Sequence, residues 1–177
     1  MNTYGTKWPE CISNTRWGGG TRWLRALLIA GLALTPAGAR ADCDGHPDRI
    51  SALLGSHHLH AIAPLNERNP GAFLTWNCGE VDVTAGAYEN SYENVSVAAM
   101  VTYPVVVKPW LEMGPFAGVA RYPEYADWQV VHYGDLVPIG GFQIRVANAF
   151  MKVMPGDMET VTAVLAFGLT FQIGAKD

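Results

Sequence analysis

From Val161 to Ile173 the chain alternates without interruption. Val161, Ala163, Leu165, Phe167, Leu169, Phe171 and Ile173 take one parity, and Thr162, Val164, Ala166, Gly168, Thr170 and Gln172 take the other. Successive side chains of a β-strand point to opposite faces, so this is a strand with one large apolar face and one small or polar face. At thirteen residues it exceeds the roughly 9 to 11 that cross an outer membrane at a tilt. The pattern recurs in Val95, Val97, Ala99, Val101 and Tyr103 against Ser96, Ala98, Met100 and Thr102. It recurs again in Val81, Val83 and Ala85 against Asp82, Thr84 and Gly86.

Five further strands are predicted over Ser56–Ala63, Ala72–Asn77, Leu111–Tyr122, Gln129–Tyr133 and Phe142–Val153, which brings the total to eight. Turn chemistry separates the strands at Asn69-Pro70-Gly71, Cys78-Gly79, Glu93-Asn94, Lys108-Pro109, Pro123, Gly140-Gly141 and Pro155-Gly156-Asp157. An even number of alternating strands with no useful helix between them predicts an all-β fold, an eight-stranded antiparallel up-and-down β-barrel. Ahead of it, Ile50, Leu53 and Leu54 fall at helical spacing after Pro47 and Asp48, which predicts a short N-terminal amphipathic helix within 42–55. Periodicity does not say which face of the barrel points outward. A membrane barrel turns the large residues to lipid, whereas a soluble lipocalin-like barrel or sandwich turns them inward. Gly and Ala on the alternate face suit the narrow lumen of eight strands and favour the membrane arrangement.

The N-terminal segment reads differently. Arg22 and Arg25 precede the apolar run Ala26 to Leu34, and Ala39-Arg40-Ala41 forms an A-x-A pattern ahead of Asp42. This predicts a secretory signal peptide closing a long leader over 1–41, then an N-terminal segment over 42–55 and the barrel domain over 56–177. The apolar run is too short to cross a bilayer as a helix. The whole chain carries 12 Lys and Arg against 16 Asp and Glu. Residues 1–41 hold five of the basic residues and one acid, so the remainder is left with seven basic and fifteen acidic residues. A nucleic-acid partner is not expected from such a balance. Beyond the leader, Cys43 and Cys78 are the only possible disulfide pair, and a bond between them would tether the N-terminus of the exported chain. Two free thiols are the alternative.

Three stretches carry more reactive side chains than a barrel wall needs. In Ser56-His57-His58-Leu59-His60, a strand puts His58 and His60 on one face and His57 on the other. His46 and His132 are scattered and complete no ligand set, so neither a metal nor a cofactor is expected. Leu65-Asn66-Glu67-Arg68-Asn69-Pro70-Gly71 is a polar turn leading into a strand. Tyr88-Glu89-Asn90-Ser91-Tyr92 ends the strand that begins at Val81. Ser91 becomes a competent hydroxyl only if a histidine from the first strand reaches it.

The order and spacing of these stretches resemble the outer-membrane lipid A palmitoyltransferases of the PagP type. Ser56-His57-His58 looks like that family's histidine strand, Asn66-Glu67-Arg68 like its Asn-Glu-Arg turn, and Ala87 to Tyr92 like its strand ending in Asp-Ser. Phe116-Ala117-Gly118-Val119-Ala120-Arg121 is similar to the glycine-rich middle strand, and Leu136-Val137-Pro138 to the proline break. The resemblance covers about Ser56 to Ile173. It implies a monomeric outer-membrane barrel whose partners are phospholipid and lipid A, with an acyl chain passing from the first to the second. His58 matches the family histidine as general base or acid, and Ser91 the serine as its hydroxyl partner. Asn90 stands at the aspartate position as orienter, where an amide can hold a hydrogen bond but cannot take up a proton or balance an imidazolium. Two alternatives come from other classes: a non-catalytic barrel that binds lipid, and a soluble periplasmic or secreted barrel that binds a small apolar ligand or a partner protein.

Overall fold

The computed structural model describes Cys43 and residues 45–123, 131–156 and 160–173. The strands are β1 (Arg49–Leu59), β2 (Gly71–Cys78), β3 (Val81–Glu89), β4 (Val95–Thr102), β5 (Val105–Lys108), β6 (Leu111–Arg121), β7 (Leu136–Val146), β8 (Ala149–Pro155) and β9 (Ala163–Gln172). Neighbours pair antiparallel, β9 returns to β1, and β4 pairs with β6, so the sheet closes on itself. Closure leaves eight strands in the ring because β5 is the continuation of β4. The pairs Val97↔Arg121 to Thr102↔Phe116 pass in unbroken register into Val105↔Met113 and Val106↔Glu112. Pro104, with no N–H to give, interrupts the ladder between them. Opposite the break, a side chain on Gly114 would collide with the Tyr103 carbonyl, so glycine is what lets β6 pass.

The expected antiparallel barrel is present, with three corrections to its parts. Ile50, Leu53 and Leu54 lie in β1, and the described residues contain no helix. Helical spacing among three residues was outweighed by two-sided pairing: Arg49 to Leu53 are bonded to both β2 and β9, which satisfies backbone groups that an isolated short helix would leave open. The stretch Phe142–Val153 is two strands, joined by a tight turn in which Ala147 takes a φ of 50°. Conversely, Gln129–Tyr133 supplies no strand. Residues 131–135 form bends and turns beside the Tyr133–Leu136 bridge, and 129 and 130 lie outside the described residues. The count of eight stands because the strand gained by dividing Phe142–Val153 replaces the one not formed, and the first strand begins earlier than expected, at Arg49. The leader and signal peptide expected over 1–41 also lie outside the described residues.

The large apolar face points outward. In β4, Val95, Val97, Ala99 and Val101 are exposed while Ser96, Ala98, Met100 and Thr102 are buried, Val97 at 52% and Ser96 at 1%. In β9, Phe167, Leu169 and Phe171 are exposed while Ala166, Gly168 and Thr170 are buried. Leu54, Leu74, Val119, Phe142 and Met151 extend the outer apolar surface onto other strands.

The lumen has two layers. Leu53, Phe73, Ala98, Met100, Phe116, Ala120, Phe150 and Ala166 form an apolar layer, with Tyr88, Tyr122, Ile139 and Met154 packed against it. Towards the end where β1 begins, the filling becomes polar and charged. Arg145 pairs with Glu112 and lies 3.8 Å from Asp82, and Arg49 reaches Glu112 at 3.5 Å. Lys152 sits between the layers, donating to Gln143 Oε1 at 2.5 Å and lying 4.3 Å from the Phe116 ring centroid. At this lower end the β2–β3 and β7–β8 connections are short turns, and Cys43 is bonded to Cys78 as the tether reading expects. The upper end carries the β1–β2 connection over 60–70 and the β3–β4 connection over 90–94.

Candidate functional site

Which histidine faces the lumen is decided by one extra residue. The lower half of β1 sends Arg49, Ser51 and Leu53 inward, and strict alternation would then send His57 inward and His58 outward. The pairing with β9 shifts between Leu53↔Gly168 and Gly55↔Phe167, leaving Leu54 as a bulge. Adding a residue to one strand exchanges its faces beyond that point. Ser56 opposite inward Ala166 and His58 opposite Val164 therefore point into the barrel, and His57 opposite Leu165 points out. Gly55 makes the bulge compact, because a Cβ there would lie 2.6 Å from the Glu67 carbonyl oxygen and 3.2 Å from the Phe167 ring.

His58 Nε2 lies 3.0 Å from Ser91 Oγ, across from the end of β3. The structure thus brings together two of the three residues expected from the sequence. Asn90 has a different task. It is fully buried, its Oδ1 accepts from the Tyr92 and Asn94 amides at 2.9 and 3.1 Å, and its Nδ2 donates to Ser96 Oγ at 2.9 Å. These bonds hold the turn that presents Ser91, and they are not directed at His58. The expected orienting bond from Asn90 to the histidine is absent, because each polar atom of the amide is already engaged in closing the turn. His60 departs as well: it lies past the end of β1 with a φ of 54°, so it shares no strand face with His58.

The Asn66-Glu67-Arg68 turn fills a gap in the wall. β1 pairs with β2 only as far as Leu53↔Gly71, and above that point the 60–70 connection runs beside it instead. Ser56 N–H donates to the Glu67 carbonyl at 2.9 Å, and Asn66 N–H to the Ser91 carbonyl at 3.1 Å. Asn66 Oδ1 accepts from Arg68 N–H while its Nδ2 donates to Glu89 Oε1, both at 3.0 Å. The Glu67 carboxylate takes the His58 backbone N–H at 3.2 Å and meets His57 Nδ1 at 2.7 Å. The His58 amide, with help from the His57 ring, holds the Glu67 carboxyl below the usual carboxylate range.

Sequence reasoning did not single out Ser56 with Asn69, or the bulge. Ser56 Oγ donates to Asn69 Oδ1 at 2.5 Å, and both residues are buried. The available signal was Gly55, a lone glycine inside a strand pattern, which marks a bulge or a close approach. Beneath the site, Tyr88 and Tyr122 join hydroxyls at 3.1 Å, and Phe73 packs against Tyr88. Among the described residues no group of three His, Cys, Asp or Glu side chains is placed to hold a metal. In chemical terms the site is an imidazole–hydroxyl pair at the mouth of an apolar lumen, able to move a proton to or from an oxygen. Compared with known proteins, the chain matches no family model and no curated protein.

Proposed function

We propose that the chain is an outer-membrane acyltransferase that moves an acyl chain from a phospholipid to lipid A. The observation that carries this reading is the His58–Ser91 pair at one mouth of a barrel whose exterior is apolar. An outer surface of Val, Leu and Phe would be an aggregation hazard in water and suits hydrocarbon. Short turns at the lower end and a longer β1–β2 connection at the other match the asymmetry of such barrels. The closed ring leaves no long unpaired edge, which is consistent with a monomer.

The chemistry follows from the pair. Ser91 gives its proton to His58 Nε2 and takes one from the lipid A hydroxyl, whose oxygen attacks the phospholipid ester carbonyl. The ester C–O bond breaks, and the imidazolium returns the proton through Ser91 to the leaving lysophospholipid oxygen. The apolar layer of Phe73, Met100 and Phe116 lies below, on the side where an acyl chain would be received. Pro115 accepts from the Tyr103 N–H at 3.0 Å but has no N–H to return, which weakens the seam between β6 and the β4–β5 strand beside this layer.

The test is membrane fractionation, with mass analysis of lipid A from cells expressing the wild type or His58→Ala. The wild type should add one acyl chain and His58→Ala none. A soluble wild-type protein or unchanged lipid A would contradict the proposal. A second reading, a lipid-binding barrel without turnover, is favoured by one feature: His58 Nδ1 is buried with no carboxylate bonded to it. Lipid retained by both proteins with no acyl addition would support it.

A further inference from the structure

Two buried polar atoms near the site have no partner: His58 Nδ1 and Asn69 Nδ2. Leaving such atoms unpaired is costly, and native structures seldom do so without a functional reason. The two atoms belong to one corner of the barrel. Ser56 and His58 are two apart on the inward face of β1, so their Cα atoms lie about 6.6 Å from each other. Asn69, 3% exposed, is fixed to Ser56 Oγ. Asn69 is thus held beside the inward neighbour of His58, and a water bonding both groups would accept from one and accept from or donate to the other. Asn90 cannot fill this role, since its amide is engaged in the turn.

We infer that Asn69, anchored on Ser56, is the positioning residue for His58, supporting Nδ1 through a shared water while Nε2 faces Ser91. When His58 takes a proton at Nε2, its Nδ1–H must find an acceptor. The bridging water accepts it and keeps the Asn69 N–H as a second donor. A half-turn of the carboxamide serves equally, because the Ser56 hydroxyl donates or accepts and so keeps its bond while Asn69 Oδ1 turns to the imidazolium side. A neutral amide thereby orients the ring without carrying charge. The titratable groups around His58 are Glu67 and His57, with Glu89 held by Asn66.

The kinetic arm of the test rests on the acyl-transfer reading, whereas the spectroscopic arm does not. Full-length ¹⁵N-histidine-labelled protein in detergent micelles would be compared with Asn69→Ala, Asn69→Asp and Ser56→Ala, with the gel mobility of heated and unheated samples confirming folding. Asn69→Asp should raise the His58 titration midpoint by about one unit or more, because a carboxylate then faces the imidazolium. The acidic limb of the transfer rate should move by the same amount. Asn69→Ala should change the His58 tautomer signature and lower kcat by about 10- to 100-fold with KM little changed. Should Asn69→Ala fail to fold, Asn69→Asp and Ser56→Ala carry the comparison. A His58 titration and tautomer identical to wild type in every folded variant would overturn the assignment. If the wild type transfers no acyl chain, the acyl-transfer reading falls, while the spectra still decide the role of Asn69.

Discussion

Glu67 shows how one side chain couples the wall to the site. Its carboxyl titrates below the usual range because the ionised form accepts the His58 amide and then meets His57. A depressed carboxylate contributes its support above the unfolded value and loses it as pH falls through the folded value. The His58 amide resonance should therefore move at the acid edge, below the usual carboxylate range, and Glu67→Gln should remove that inflection. An unchanged inflection in Glu67→Gln would assign it to another group. At the same scale, Ser91→Ala removes the hydroxyl that faces His58 Nε2. It should lower acyl transfer by about 10²-fold or more without altering the barrel, as proton-transfer groups do. His58 and Ser91 were legible in the sequence because reactive side chains announce themselves. The commitments of Asn90 were not, since only the folded turn shows that its amide is already used.

The bulge in β1 is the element-scale decision on which the site depends. Inserting one residue after Gly55 should move Ser56, His57 and His58 one place along β9, turn His57 inward and His58 outward, and abolish activity in a barrel that still forms, whereas deleting Leu54 should make the ladder continuous with His58 still opposite Val164. Chemical modification or NMR of the two imidazoles would detect the exchange. A second element-scale prediction concerns the lower lumen. Glu112 is the carboxylate shared by Arg49 and Arg145, and Arg145 is nearly enclosed. Glu112→Ala should destabilise the barrel by about 3 kcal/mol, since it leaves the buried Arg145 guanidinium with only the longer Asp82 contact. A double change of Arg145 and Glu112 to apolar residues should cost much less, and denaturant unfolding of both would check this. Strand period was plain in β4 and β9, where alternation is unbroken. It failed where a tight turn at Ala147 leaves no glycine or proline as punctuation, and where a bulge breaks the parity that the period assumes.

For the whole molecule, the sequence pointed to a barrel but left open which face was outside. That choice depends on how the strands curl and close, and alternation is the same for either hand of the answer. The structure puts Phe167 and Phe171 outside and Arg145 and Glu112 inside. If lipid surrounds the barrel, Phe167→Arg should cost about 2–4 kcal/mol near mid-bilayer, much more than the same change on a water-facing surface. The Cys43–Cys78 bond, across a separation of 35 residues, should add about 4 kcal/mol by restricting the unfolded chain. Reduction should lower the unfolding midpoint accordingly and leave the pair at the opposite mouth intact. The most direct measurement is acyl transfer by the purified protein in mixed micelles of radiolabelled phospholipid and lipid A. The acyl-transfer reading predicts label moving to lipid A with the wild type, and not with His58→Ala or Ser91→Ala. Label that stays on the phospholipid with folded wild type, or moves equally with all three, would contradict it.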